Sequence, residues 1–223
     1  DTKKEERIKI QRDAATESQI WLKNQDDILP LKDIKTIAVI GNDAFERDCI
    51  NENDFACVNE TNEVVNGHIP LGYGSGTTDF SYLITPLQGI EELAKKKGIE
   101  VLSSGKLIYK DEIREIRDEK KTVHVSAKED IESGVEIAKK ADVAIVFVKA
   151  DSGEEYSVVE SSIGDRIHLD VWHEGNELIE SIAKVNKNII VVINAPSVVN
   201  VPWMDKVKAV VFCGFSGAES GHA

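Results

Sequence analysis

VAIVFVKADSGEEYSVVESSIGDRIHLDVWHEGNEL, running from Val143 to Leu178, decides the fold. It opens with Val143, Ala144, Ile145, Val146, Phe147 and Val148, a continuous apolar run whose β-branched content predicts a strand buried on both faces. The polar stretch that follows is too long for an ordinary connection. It carries Asp151, Glu154, Glu155, Glu160, Asp165, Arg166, His168 and His173 before a helix resumes near Asn176. Long loops inside compact domains are usually functional or disordered, and open parallel sheets bind ligands beyond the carboxyl ends of their strands. This loop is therefore the first candidate site.

Outward from it, the apolar runs Ile37–Ile40, Ile99–Leu102, Asn188–Ile193 and Val207–Phe212 predict further strands. Helical spacing joins Ile10, Ala14, Ser18, Trp21 and Leu22 into an amphipathic helix over residues 1–23. Thr85 as cap and Pro86 as first residue start a second helix, with Leu87, Ile90, Leu93 and Ala94 as its stripe up to Gly98. Ala127, Ile131, Val135 and Ala138 mark a third, and Leu178, Ile179, Ile182 and Ala183 a fourth. Strands alternating with helices in this way predict an α/β fold, a mostly parallel sheet flanked by helices on both faces. Residues 103–125 are charged and without a clean period, so no element is assigned to them. The chain stops soon after a predicted strand, with no helix to cover the sheet edge, and the expectation is a domain truncated at its C-terminal end.

A chain of 223 residues with 41% apolar residues can fill one large core. Its formal charge of −13 argues against nucleic acid or an anionic membrane as partner. No apolar run reaches the roughly 18 residues of a membrane span. Cys49 and Cys57 fall close together in a polar insertion, residues 44–70, and are read as a disulfide, whereas Cys213 lies in an apolar strand as a small buried hydrophobe. Asn59-Glu60-Thr61 in the same insertion is a glycosylation sequon. Together these features favour a secreted, extracellular protein. Gly72, Gly74 and Gly76 either press backbone N–H groups against a ligand or simply turn the chain, and turning is commoner. No phosphate or dinucleotide fingerprint is present, and no cofactor is expected.

His173-Glu174-Gly175-Asn176-Glu177 imitates a zinc-protease HExxH, but Glu177 stands where the second His belongs, so no metal is expected. Asn176 reads as a helix cap, Glu177 as a first-turn acid, and His168 and His173 as packing or hydrogen-bonding residues of the loop. Gly214-Phe215-Ser216-Gly217-Ala218 resembles a nucleophile elbow, yet only His222 follows it and no acid-bearing strand intervenes. The loop carboxylates make a better case. A general acid needs a carboxyl kept protonated by burial or by a neighbouring negative charge, and Glu154 has Glu155 beside it and Asp151 close by. The residues alone still favour solvated acids on a strongly acidic surface.

A specific likeness changes that balance. Ala150 to Ile179, ADSGEEYSVVESSIGDRIHLDVWHEGNELI, resembles the segment of fungal family 3 β-glucosidases that carries ADSGEGY, VEG, GDR, LD, WH and GN in that order. Ala15 to Ser18, Leu22 to Asn24 and Ile28 to Leu31 are similar to that family's linker helix and LPL segment. Ile37 to Asn42, the two insertion cysteines, Gly72 to Thr77, Thr85-Pro86, Val207 to Val211 and Glu219 to Gly221 match further motifs in sequence. The resemblance spans nearly the whole chain and implies a linker helix with its lead-in over residues 1–31 and an α/β sandwich over residues 32–223.

The family places a (β/α)8 barrel ahead of this sandwich, and the barrel supplies the aspartate nucleophile and most glucose contacts. The resemblance thus implies a second domain of a retaining β-glucosidase acting on β-glucosides such as cello-oligosaccharides, with the substrate at the interface to the missing barrel. It assigns Glu154 as acid/base, with Glu160 as runner-up, Tyr156 to the aglycone side, and Asp165 and Arg166 to holding the loop. Glu155 stands where the family has Gly. Alone, the chain is expected to be inactive, and as a catalytic half it should expose an apolar patch where the barrel docks. The alternative is a non-catalytic interaction module that binds an extracellular protein partner in a polysaccharide-degrading assembly.

Overall fold

The computed structural model describes residues 2–47, 64–72, 78, 80–116, 118–155, 158–160 and 162–223. Cys49, Cys57, Asn59 and Tyr156, together with Gly74 and Gly76, lie outside the described residues.

The apolar run at the centre forms β6 (Val143–Lys149), buried at every position. Hydrogen bonding places it in a six-stranded sheet with β1 (Ile20–Asn24), β2 (Thr36–Ile40), β3 (Glu100–Ser104), β9 (Ile189–Asn194) and β10 (Ala209–Phe212), in the order β1-β10-β9-β6-β2-β3. All neighbours are parallel except β1 and β10. Period-two alternation divides the side chains between two faces. Ile40, Val146, Val148, Val191 and Ile193 pack with Leu178, Ile179 and Ile182 of α4 (Gly175–Val185) and with Ala138 of α3 (Ile131–Ala138). Ile37, Val39, Ile145, Phe147 and Ile190 face the other way, toward Leu87 and Ile90 of α2 (Pro86–Lys97) and the segment Ile28 to Ile34. Helices on both faces make this the α/β sandwich expected from the alternation of elements.

The start of α2 follows its sequence closely. Thr85 and Gln88 form a reciprocal capping box, Pro86 occupies the first turn, and Gly98 ends the helix in the left-handed region. Gly89 lies so close to the carbonyl of Gly221 that an added Cβ would sit 1.6 Å from that oxygen, which seats the last segment of the chain on the helix.

The structure departs from the expected elements at three places. The first helix, α1 (Thr2–Glu17), ends early, and Ile20 to Asn24 instead form β1. There the backbone of β10 offers unpaired N–H and C=O groups, and pairing along an edge outweighs helical spacing in a stretch rich in Ile, Trp and Leu. The edge of β10 is thereby covered from the front of the chain, by Ile20 opposite Phe212 through Asn24 opposite Ala209. Without Trp21 and Leu22 the helix has no apolar stripe, and Ile10 is 60% exposed. What docks α1 is charge: Arg12 donates to Glu219 at 2.9 and 2.7 Å through Nε and Nη2. Residues 103–125 fall largely within a long hairpin of β4 (Leu107–Ile116) and β5 (Glu119–Glu129), which also absorbs Ala127. The third departure is the helix cap before α4, where Glu174 rather than Asn176 holds the position, in a left-handed conformation.

Candidate functional site

Strand order reverses between β2 and β6: the chain runs from β2 to β3 on one side, then returns to build β6, β9 and β10 on the other. The carboxyl ends flanking such a switch point form a crevice, and both the residues after β2 and the long loop after β6 emerge there. Gly41 ends β2 with φ 103°, and an added Cβ would lie 2.0 Å from the carbonyl oxygen of Phe147. Only glycine lets the two strand ends run so close.

A buried polar network lies directly beneath the loop. The Asn42 side chain accepts from Lys149 Nζ at 2.8 Å and from the Gly67 N–H at 2.7 Å, and donates to the Gly105 carbonyl at 2.9 Å. Lys149 Nζ also donates to the Gly67 carbonyl at 2.6 Å. Asp43 Oδ1 accepts from the Ile69 N–H and from Asn194 Nδ2, both at 3.1 Å, and its Oδ2 lies 3.3 Å from His68 Nδ1. Both oxygens of Glu129 accept the Asn42 backbone N–H, at 3.0 and 3.1 Å. Burial pulls the Lys149 ammonium down to about 8, against the opposing attraction of Asp43, Glu160 and Glu129. Burial likewise pushes the Glu129 carboxyl up to about 7, although the Asn42 N–H and Lys149 favour its charged form.

This raised pKa sets a pH dependence. Folded Glu129 holds its proton more tightly than it does unfolded, where the ordinary value is 4.5. Its stabilising contribution is therefore complete below that value and is lost as pH rises through about 7. Between pH 5 and 7.5 the loss is roughly 2–3 kcal/mol, and the thermal midpoint should fall by about 4–10 °C. Glu129→Gln keeps an acceptor for Asn42 and should flatten that slope in melts recorded across the interval.

Above the network, the loop carries two short antiparallel strands, β7 (Val158–Val159) and β8 (Ser162–Ile163), and its two limbs are stitched together. Gly153 N–H donates to the Gly164 carbonyl at 2.8 Å, and Arg166 N–H to Ser152 Oγ at 3.3 Å. The Arg166 guanidinium reaches Ser197 Oγ at 3.0 Å and also the Val198 carbonyl, while Asp165 is exposed. Glu160 points inward, accepting the Val65 N–H at 2.6 Å and facing His173 Nε2 at 2.8 Å. Glu154 and Glu155 are exposed, as is His168. Glu155 has φ 50°, a left-handed conformation that suits glycine and costs other residues about 1–2 kcal/mol. The backbone at that position is thus one a glycine would adopt without strain. Asn176 accepts from Trp203 Nε1 at 2.8 Å and donates to Asp170 at 3.3 Å, so its side chain braces the base of the loop.

The loop acids were legible in the sequence, but the network below them was missed. Its signal was a polar residue at the carboxyl end of three buried runs: Asn42-Asp43 after β2, Lys149 at the end of β6 and Asn194 at the end of β9. Among the described residues, no cluster of three or more His, Cys, Asp or Glu could hold a metal ion. No helix among them is long and apolar enough to cross a membrane.

Comparison with known proteins gives a consistent result. Residues 19–223 match the model of the glycosyl hydrolase family 3 C-terminal domain. A probable beta-glucosidase L from Aspergillus terreus is 36% identical over 217 residues, which cover 96% of this chain and 26% of that protein. The crystal structure of beta-D-glucoside glucohydrolase from Trichoderma reesei superposes with a TM-score of 0.76 at 32% identity, covering 95% of this chain and 27% of that one. Beta-glucosidase D2-BGL from Chaetomella raphigera gives 0.75 at 34% identity, covering 97% and 27%. The chain spans about a quarter of the length of the relatives it matches.

Proposed function

The chain belongs to the glycosyl hydrolase family 3 C-terminal domain family, and from that premise we propose that it is the second domain of a secreted retaining β-glucosidase. It supplies the acid/base, Glu154, to an active site completed by a (β/α)8 barrel. The observation that carries this reading is how the loop divides its carboxylates. Glu160 is turned inward onto Val65 and His173, whereas Glu154 is exposed beyond the carboxyl end of β6, where a second domain can close over it.

Closure is what the chemistry requires. Retaining glycosidases hold two carboxyl groups about 5–5.5 Å apart, one as nucleophile and one as acid and then base. Burial against the barrel would keep Glu154 protonated for the first step, in which it donates a proton to the departing glycosidic oxygen. As a carboxylate it then takes a proton from the water that attacks the glycosyl-enzyme. Tyr156, two residues on, is assigned to the aglycone side, and Arg166 holds the loop through Ser197 and Val198, while the exposed Asp165 takes no part in that tie. Exposed apolar side chains support a docking face beside it: Ile163 is 70% exposed, Ile167 84% and Val198 71%. A Cys49–Cys57 disulfide and glycosylation at Asn59 belong to the same extracellular reading, as do cello-oligosaccharides as substrates.

The test is turnover of an aryl β-glucoside. The 223-residue chain alone should give none, and the same chain joined to a family 3 barrel should give robust hydrolysis. Turnover by the pure chain, lost in Glu154→Gln, would show that the site does not need the barrel. A monodisperse chain that gains no activity with any barrel and binds a specific extracellular protein would favour the non-catalytic module instead.

A further inference from the structure

We propose that Glu160 and His173 form a latch that fixes the Glu154 loop in place, making both of them positioning residues for the acid/base. The inference rests on the assignment of Glu154 above and assigns a task to a carboxylate that the chemistry leaves unused.

His173 is the fixed half. Its side chain is 2% exposed, and its carbonyl accepts the Glu129 N–H at 3.0 Å, which ties it to the end of β5. The preceding residue, Trp172, donates its N–H to the Lys149 carbonyl at 2.8 Å, at the end of β6. Nδ1 of the ring has no hydrogen-bond partner among the described residues. Nε2 faces a carboxylate oxygen, which can only accept, so the proton of that contact is donated by the ring to Glu160.

Glu160 is the half that belongs to the loop. One oxygen, Oε1, takes both the Val65 N–H at 2.6 Å and the His173 contact at 2.8 Å, so a single group joins the loop to the segment before the Gly-rich turn and to the base of α4. Both residues are left-handed, Glu160 at φ 48° and His173 at φ 58°. Such conformations are strained in non-glycine residues and persist where surrounding contacts over-determine them. From Glu160 the restraint reaches the acid/base limb along the chain to Gly164, whose carbonyl accepts the Gly153 N–H next to Glu154. Without the latch the two limbs remain joined to each other but lose this tie to the rigid sheet.

Hydrogen exchange on the chain itself tests the latch without any catalysis. In Glu160→Ala and His173→Ala the amides of Gly153 and Arg166 should exchange about tenfold faster or more, while those of Val191 and Ile193 in β9 stay unchanged. Glu160→Gln, which keeps an acceptor, should recover part of the protection. It also carries the comparison if an alanine variant does not fold. Unchanged exchange at Gly153 and Arg166, or an equal rise in β9, would overturn the proposal. In the barrel-containing enzyme, Glu160→Ala should lower kcat/KM, which reports formation of the glycosyl-enzyme, at least tenfold more on cellobiose than on a dinitrophenyl glucoside, whose departure needs no proton. An equal loss on both substrates would also overturn it. Full activity in Glu154→Gln would remove the functional reading, yet the exchange result would still decide the latch.

Discussion

Glu154→Gln, in the enzyme that joins this chain to its barrel, should lower kcat on cellobiose by about 10²–10⁴-fold, the usual range for loss of a positioned acid or base. The loss should depend on the leaving group. Cellobiose departs as a sugar alkoxide and needs a proton as the bond breaks, so the first step slows steeply. Dinitrophenolate leaves unaided, so formation of the glycosyl-enzyme should survive and its hydrolysis, now lacking a base, should limit turnover. A pre-steady-state burst of dinitrophenolate is therefore expected, and azide should restore turnover in Glu154→Ala by attacking the intermediate without base assistance. The same series on Glu160 separates the two carboxylates. An acid/base at Glu160 would show the burst and the azide rescue as fully as Glu154 does, whereas a latch, whose loss leaves Glu154 present but displaced, shows both in weaker form. A Glu154→Gln enzyme that retains wild-type kcat on cellobiose would remove this residue from the reaction.

The sheet was legible because its strands are buried on both faces, and continuous apolar runs such as Val143 to Val148 and Asn188 to Ile193 have few other uses. What misled was the edge. Trp21 and Leu22 fall at helical spacing after Ile10 and Ala14, and only the distant β10, absent from any local pattern, makes strand pairing the better outcome for them. The hairpin of β4 and β5 was hidden for a different reason. Charged side chains stand on both of its faces, as in Lys110, Asp111 and Glu112, so the period of two that marks a half-buried strand is missing. In the site, residue type and loop length pointed to Glu154 and Glu160 alike. Their separation into an exposed and an inward carboxylate depends on Val65 and His173, which lie far from each other in the chain and meet only in the fold. Glu155 shows the reverse case: an acid standing where the family has Gly sits at φ 50°, so the backbone keeps a glycine-like conformation at that position.

Lys149→Met should destabilise the chain by about 3–5 kcal/mol at pH 7.5, the cost of removing one partner from a buried charged network. Methionine keeps most of the aliphatic stem, so the change isolates the ammonium. It leaves the Asn42 side-chain oxygen and the Gly67 carbonyl without their donor and removes the cation that Asp43, Glu129 and Glu160 face. In urea the midpoint should fall by about 1–3 M, with the slope unchanged if the unfolded state is unaffected. Acid should soften the effect. Below pH 6 Glu129 is largely protonated in the folded state, because burial has raised it to about 7, and one of the opposed negative charges is then gone. The penalty at pH 5 should accordingly be smaller than at pH 7.5, and Glu129→Gln should shrink it at the higher pH in a double-mutant cycle. A Lys149→Met chain as stable as wild type at both pH values would mean that desolvating the ammonium already cancels its attractions. In that case the network would position the strand ends without stabilising them.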